Sequence, residues 1–181
     1  MGQKNRIVPG GLYYLTMTVV DWVDVFTRPV YKHIILDALK FCVEKKGLQL
    51  YAWCLMSNHL HMIAAAEEGK NLSDILRDFK KFTSRQIVEA IQRENESRRE
   101  WMLYRFHLAG KYDPKITNYK LWQEGNEAKE IHTNDFLDQK LDYIHQNPVR
   151  AGWVTEQEYY LYSSAGDYAG QNGLVPVVLA L

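Results

Sequence analysis

The sequence predicts an α+β fold of the ferredoxin-like (RRM-like) type: an antiparallel sheet with helices packed on one face, plus an extra C-terminal helix. Three observations carry this expectation. β-rich runs and amphipathic helical patterns come in the order strand, helix, strand, strand, helix, strand, helix, whose first six members match the split βαβ plan. Only Ser57 and Asn58 separate the second and third strands, which makes them an antiparallel hairpin. The chain has 181 residues, 46% of them hydrophobic, which suits a single globular domain. We expect one domain over 1–181, with a core at about 10–154 and a tail at about 155–181.

Residues 12–20 are β-branched and aromatic with rough alternation, and read as the first strand. Thr27 can cap a helix that carries Arg28 and Pro29 in its first turn. Val30, Ile34, Ile35, Ala38, Leu39 and Cys42 keep helical spacing, and Lys45, Lys46 and Gly47 end it. Residues 48–56 and 59–66 form the hairpin, and Glu67 to Lys70 the next turn. Asn71 caps a long helix, with Asp74 at the capping-box position. Its apolar stripe is Leu72, Ile75, Leu76, Phe79, Phe82, Ile87 and Ile91. Residues 94–118 are polar and carry no clear pattern. Residues 119–124 read as a fourth strand. Thr133 or Asn134 caps a last helix at about 135–147, which Pro148 should end. The residues beyond it read as loop and tail.

Composition excludes several classes. No apolar run is long enough for a membrane helix, and the first residues have no signal-peptide core. Cys42 and Cys54 are too few for a disulfide scaffold or a cysteine-built zinc site. The expectation is an intracellular, reduced protein without membrane contact. Formal net charge is zero, yet the stretch from Arg77 to Arg105 carries net +3.

Three groups of residues could carry chemistry. In His59-Leu60-His61 a strand would turn both imidazoles to one side, where a divalent metal could bridge them. The alternative is two polar residues on a solvated strand face. Two histidines do not close a zinc site but fit an open one with room for oxygen ligands and a phosphate. On the last helix, Leu137, Leu141 and Ile144 form an apolar seam. Phe136, Lys140, Tyr143 and Asn147 lie along an adjacent face, so Tyr143 and Asn147 can meet at one site. Their alternatives are a packing tyrosine and a helix C-cap. Arg77, Lys81 and Arg85, with Lys80 beside them, form a basic stripe that either touches phosphates or is simply solvated.

Ser57-Asn58-His59-Leu60-His61-Met62-Ile63 resembles the HUH-type motif of single-strand-DNA tyrosine transposases. Leu121-Trp122-Gln123, the stretch from Leu72 to Trp101, and the run from Tyr143 to Gly152 are similar to the REP-associated tyrosine transposases in particular. The likeness spans about residues 10–170. It implies a ferredoxin-like core with one catalytic tyrosine on a late helix. It implies cutting of single-stranded DNA at imperfect palindromic hairpins through a 5′-phosphotyrosine that leaves a 3′-OH. By position, Tyr143 is the nucleophile, and His59, His61 and Asn147 hold Mg²⁺ or Mn²⁺. Related insertion-sequence enzymes supply Gln where this chain has the shorter Asn147. Arg77, Lys80, Lys81, Arg85 and Arg150 are the expected DNA contacts. The sequence leaves both a monomer and a homodimer open; a cytoplasmic, nucleoid-associated location goes with the resemblance.

The chemistry is sound from below. A metal on neutral imidazoles would polarise the phosphate oxygens. A phenol, with its ordinary pKa of ~10, needs help to lose its proton. His145, two residues from Tyr143, points elsewhere on a regular helix and is no candidate base. Two further readings remain: a non-catalytic hairpin-binding protein descended from such enzymes, and an interaction protein without nucleic acid.

Overall fold

A computed structural model describes residues 7–111, 113 and 118–180. Its sheet holds β1 (Tyr13–Thr18), β2 (Leu48–Leu55), β3 (His59–Ala66) and β4 (Lys129–Glu130) in the order β2-β3-β1-β4. Every neighbouring pair is antiparallel, as the split βαβ plan requires. Helices α1 (Pro29–Lys45) and α2 (Leu72–Arg93) cover one face, and α4 (Asn134–Arg150) packs on the other.

Strand parity divides the two faces. Tyr13, Leu15 and Met17 of β1 and Leu60, Met62 and Ala64 of β3 point into the main core. Tyr14 and Ile63 point to the α4 side. β2 changes parity at a register shift between Leu50 and Ala52, so Leu48 and Leu50 are followed in the main core by Trp53 and Leu55. The bulge explains why the β2 sequence lacks strict alternation.

Pro29, rather than Thr27, sets the start of α1. Proline disfavours helical backbone in the preceding residue. Arg28 is accordingly extended (φ −107°) and is the N-cap, with no side-chain capping bond. Tyr31, Ile35, Leu36, Ala38, Leu39 and Cys42 are buried; Val30 and Ile34 flank them half-buried. Gly47 closes the helix at φ +76°. A Cβ there would also stand 2.8 Å from the Glu67 carboxylate.

Asn71 caps α2 through Oδ1, which accepts from the Ser73 and Asp74 amides. The Asp74 carboxylate pairs with Arg77 at 2.6 Å. Phe82 is not in the buried stripe but half-exposed. The stripe runs from Phe79 to Thr83 to Ile87 in steps of four, and Phe82 falls beside it. Thr83 can be buried because its hydroxyl donates to the Phe79 carbonyl and accepts from Trp122 Nε1 at 2.9 Å.

The next segment adds one element and corrects one expectation. The polar stretch contains α3 (Arg99–Lys111), whose Met102 and Phe106 are buried while Trp101 and Tyr104 face solvent. Large apolar residues on both sides leave no periodic signal. Residues 119–124 do not form the fourth strand. Trp122 makes one bridge to Val19, and the ladder resumes only at β4. A turn intervenes, with Gly125 at φ +80° and Glu127 at φ +43°. Lys80 Nζ donates to the Gln123 and Gly125 carbonyls and holds that turn against α2.

α4 is capped by Thr133, whose hydroxyl accepts from the Phe136 amide. Pro148 does not end it. The helix runs two residues further and terminates at Gly152 (φ +73°). Proline removes one amide donor without stopping the chain when the following carbonyl contacts survive. Here the Ala151 amide still bonds the Asn147 carbonyl, and Trp153 bonds that of Pro148.

The segment after α4 is more than loop. It contains a 3₁₀ turn (Gln157–Tyr159) and α5 (Ala165–Tyr168). The Leu55 amide bonds the Tyr162 carbonyl, Ser164 bonds Trp53, and Val178 bonds Leu50. These contacts cover the outer edge of β2. Among the described residues, no helix is long and apolar enough to cross a membrane.

Candidate active site

The outward residues of β1 and β3 meet in register: Thr16 opposite His61, Thr18 opposite His59. His59 and His61 lie on one face, with ring centroids 4.7 Å apart. Tyr143 reaches them from α4, 5.5 Å from the His61 ring and 6.1 Å from that of Tyr14. These rings line a cavity of about 460 Å³, completed by Trp22, Glu127, Lys129, Lys140 and Asn147.

Both imidazoles are held by hydrogen bonds on Nδ1. His59 Nδ1 lies 2.7 Å from Asn58 Oδ1. The Asn58 amide nitrogen faces two acceptors, the Trp22 carbonyl and Asp24 Oδ1 at 2.9 Å, so its oxygen must face the ring. An amide oxygen only accepts. His59 therefore carries its proton on Nδ1 and keeps the Nε2 lone pair. His61 Nδ1 lies 3.0 Å from both Thr16 Oγ1 and Tyr14 Oη. Thr16 also donates to Tyr14 at 3.3 Å, so the two hydroxyls and the ring nitrogen form one small network that fixes the orientation of the His61 ring. Such partners are what orient metal-binding histidines.

Burial pulls the His61 imidazole down to about 3, aided by the neighbouring His59 and Lys140 charges. Burial also lowers His59, against the pull of Asp24. Burial pushes the Tyr14 phenol up to about 12, with the Thr16 hydrogen bond opposing. Tyr14 is thus buried and hydrogen-bonded, whereas Tyr143 is 38% exposed. Lys140 and Arg150 stand over the Tyr143 ring at 5.6 and 5.3 Å.

Asn147 lines the cavity, but its Nδ2 donates to the Tyr143 carbonyl at 2.7 Å, so only Oδ1 remains for a ligand. Among the described residues, no three His, Cys, Asp or Glu side chains converge on a metal. The donors here are two imidazoles and an amide oxygen, a set suited to an open site for a divalent ion. Thr18 Oγ1, buried on the cavity wall opposite His59, has no hydrogen-bond partner among the described residues, which also suits a polar ligand there.

The basic residues of α2 are elsewhere, since that helix covers the opposite sheet face. Arg77 pairs with Asp74 and Asp78, Arg85 with Glu89, and Lys81 is exposed. Lys80 is turned into the protein. Burial, and behind it the Lys120 charge, lowers its amine to about 8. The sequence left Trp22, Asn58, Glu127 and Lys129 unassigned. They lie in a one-turn 3₁₀ segment (Val20–Trp22), in loops or in a two-residue strand, where no periodicity marks the inward side.

A family model described as "Transposase IS200 like" matches residues 11–107, more than half of the chain and including both histidines. The chain belongs to the IS200-like transposase family. The chain is 24% identical over 162 residues to a Haemophilus influenzae protein provisionally named a REP-associated tyrosine transposase, covering 89% of this chain and 83% of the relative. Its fold matches the structure of a REP-associated tyrosine transposase bound to a REP hairpin. The TM-score is 0.62 at 19% identity, over 100% of this chain and 94% of the other. The ferredoxin-like architecture expected from the sequence is the one observed.

Proposed function

We propose that this transposase is a metal-dependent nickase and strand transferase of single-stranded DNA, acting at imperfect palindromic hairpins. The observation that carries the reading is the Tyr143 ring set 5.5 Å from His61 and beside the His59–His61 pair, in one polar cavity. The solved relative bound to a REP hairpin supports hairpin DNA as the substrate.

His59 and His61 through Nε2, and Asn147 through Oδ1, would hold Mg²⁺ or Mn²⁺. Such an ion polarises the non-bridging phosphate oxygens and offsets the charge that grows on phosphorus. Tyr143 Oη attacks the phosphorus, and the bond to the 3′ oxygen breaks. The products are a 5′-phosphotyrosine and a 3′-OH, the proton passing from phenol to leaving oxygen by way of solvent. The bond energy stays in the phosphotyrosine, so a 3′-OH can reverse the step without ATP. Lys140 and Arg150 flank the ring and place positive charge where the phosphate enters. Arg77, Lys81 and Arg85 are proposed to meet the stem backbone.

The test is a denaturing gel of protein with labelled hairpin and Mn²⁺. A covalent adduct should form, and peptide mass should place it on Tyr143. Tyr143→Phe keeps the ring and should bind hairpin normally yet form no adduct. An adduct in that variant, or binding by the wild type with no adduct at all, defeats the enzymatic reading; the latter leaves a hairpin-binding protein.

A further inference from the structure

We propose that Trp22 is a stacking platform for one unpaired base of the single strand entering the Tyr143 cavity. This rests on the reading of the cavity as a DNA site, and adds a base-binding position to it.

The first observation is backbone strain. Asp21 and Trp22 are consecutive non-glycine residues at φ 54° and 55°. Such backbone is rare for bulky side chains and persists only where the surroundings impose it. They do so here. The Asn58 side chain donates to the Trp22 carbonyl, the Trp22 amide donates to that of Val19, and Arg105 pairs with Asp21 at 2.9 Å.

The second observation is that the strained turn buries its neighbours Val20 and Val23 but not the Trp22 ring. The indole is 59% exposed. It stands on the cavity wall, edge-on to His59 at 6.2 Å between centroids. Packing of Val20 and Val23 accounts for the path of the turn, but not for an indole held in solvent beside a histidine pair.

The third is elimination among the cavity rings. Tyr14 is buried against His61, and His59 and His61 have their Nδ1 atoms engaged and their Nε2 atoms assigned to the ion. Tyr143 is the nucleophile. Trp22 is left with an open ring face, and Lys129 and Lys140 on the same cavity attract a phosphate backbone past it. Indole faces accept any unpaired base, whereas a base within a stem is already stacked on its neighbours.

Fluorescein-labelled stem-loops, with and without a short single-stranded tail, provide the test. Trp22→Ala should bind the tailed DNA about tenfold more weakly than wild type, and Trp22→Phe should recover most of the loss. The tail-less stem-loop should bind all three equally. An abasic site at one tail position should cost the wild type the same factor and cost Trp22→Ala nothing more. Trp22→Gly, which relieves the backbone, should melt no lower than wild type yet bind tailed DNA as weakly as Trp22→Ala.

Equal tailed-DNA binding by Trp22→Ala and wild type overturns the proposal. So does an equal loss on the tail-less stem-loop, or a lower melting temperature for Trp22→Gly. If the wild type binds neither DNA, the DNA reading of the cavity fails first and this inference fails with it.

Discussion

His59 owes its available lone pair to the residue before it. Asn58 accepts from Nδ1, and its own nitrogen is fixed by Asp24 and the Trp22 carbonyl. Replacing Asn58 with Ala should free the ring to exchange tautomers. Mn²⁺ affinity, read by calorimetry on the DNA-free protein, should fall about 10- to 100-fold. The ¹⁵N shifts of His59 should move from a single Nδ1–H tautomer to a mixture. Unchanged affinity and shifts would reduce Asn58 to a turn residue. The two histidines were legible in the sequence because strand parity alone puts residues two apart on one side. Asn58 was visible only as a turn, since its partners come from a loop 34 to 36 positions earlier.

At the scale of elements, periodic stretches were legible and aperiodic ones were not. α1, α2 and α4 follow regular apolar spacing and form where expected, although α4 runs past Pro148; the β2–β3 hairpin was marked by its short break and β-rich runs. α3 and the path from 119 to 130 are fixed by contacts with residues distant in sequence, which leave no local period. Glu96, ahead of α3, shows why. It is buried, and its carboxylate accepts from Tyr31 Oη and from the Arg98 amide and guanidinium. Burial works to raise its pKa, but the Arg98 bonds prevail and hold it below the ordinary carboxylate range. A depressed carboxylate stabilises the fold above the unfolded value of ~4.3, and that gain is lost as pH falls through the lower folded value. Glu96→Gln should cost about 1–3 kcal/mol at pH 7, by urea denaturation, because it leaves buried donors poorly matched. It should also flatten the acid limb of the stability curve. The basic face of α2 has its own test. Neutralising Arg77, Lys81 and Arg85 together should lower the salt slope of hairpin binding by about 0.7 to 0.9 for each phosphate that is no longer neutralised. An unchanged slope would make that face merely solvated.

For the whole molecule, the sheet separates stability from chemistry: α1 and α2 seal one face, while α4 carries Tyr143 across the other. The position of α4 is set partly by His145, whose Nε2 lies 2.8 Å from Ser164 Oγ. Ser164 Oγ also accepts from the Trp53 amide and donates to its carbonyl. Ser164→Ala should therefore cost about 1–3 kcal/mol in chemical denaturation. It should also raise hydrogen exchange in α4 more than in α1; uniform exchange would show that the helix is held by other contacts. Sequence reading gave His145 no part in the site, and this anchoring is the use the fold makes of it. Its partner, in a segment read as tail, lies 19 residues away and could not be inferred. The same junction has a consequence during synthesis. β2 leaves the ribosome early, but Ser164, which helps close its edge, lies 111 residues beyond Trp53. At usual elongation rates the edge strand of the nascent chain stays open for roughly ten seconds. Until those last residues emerge, it is a template for mispairing with another chain. Slower translation of the final third would lengthen that window and raise the share of chains lost to mispairing, with folded stability unchanged.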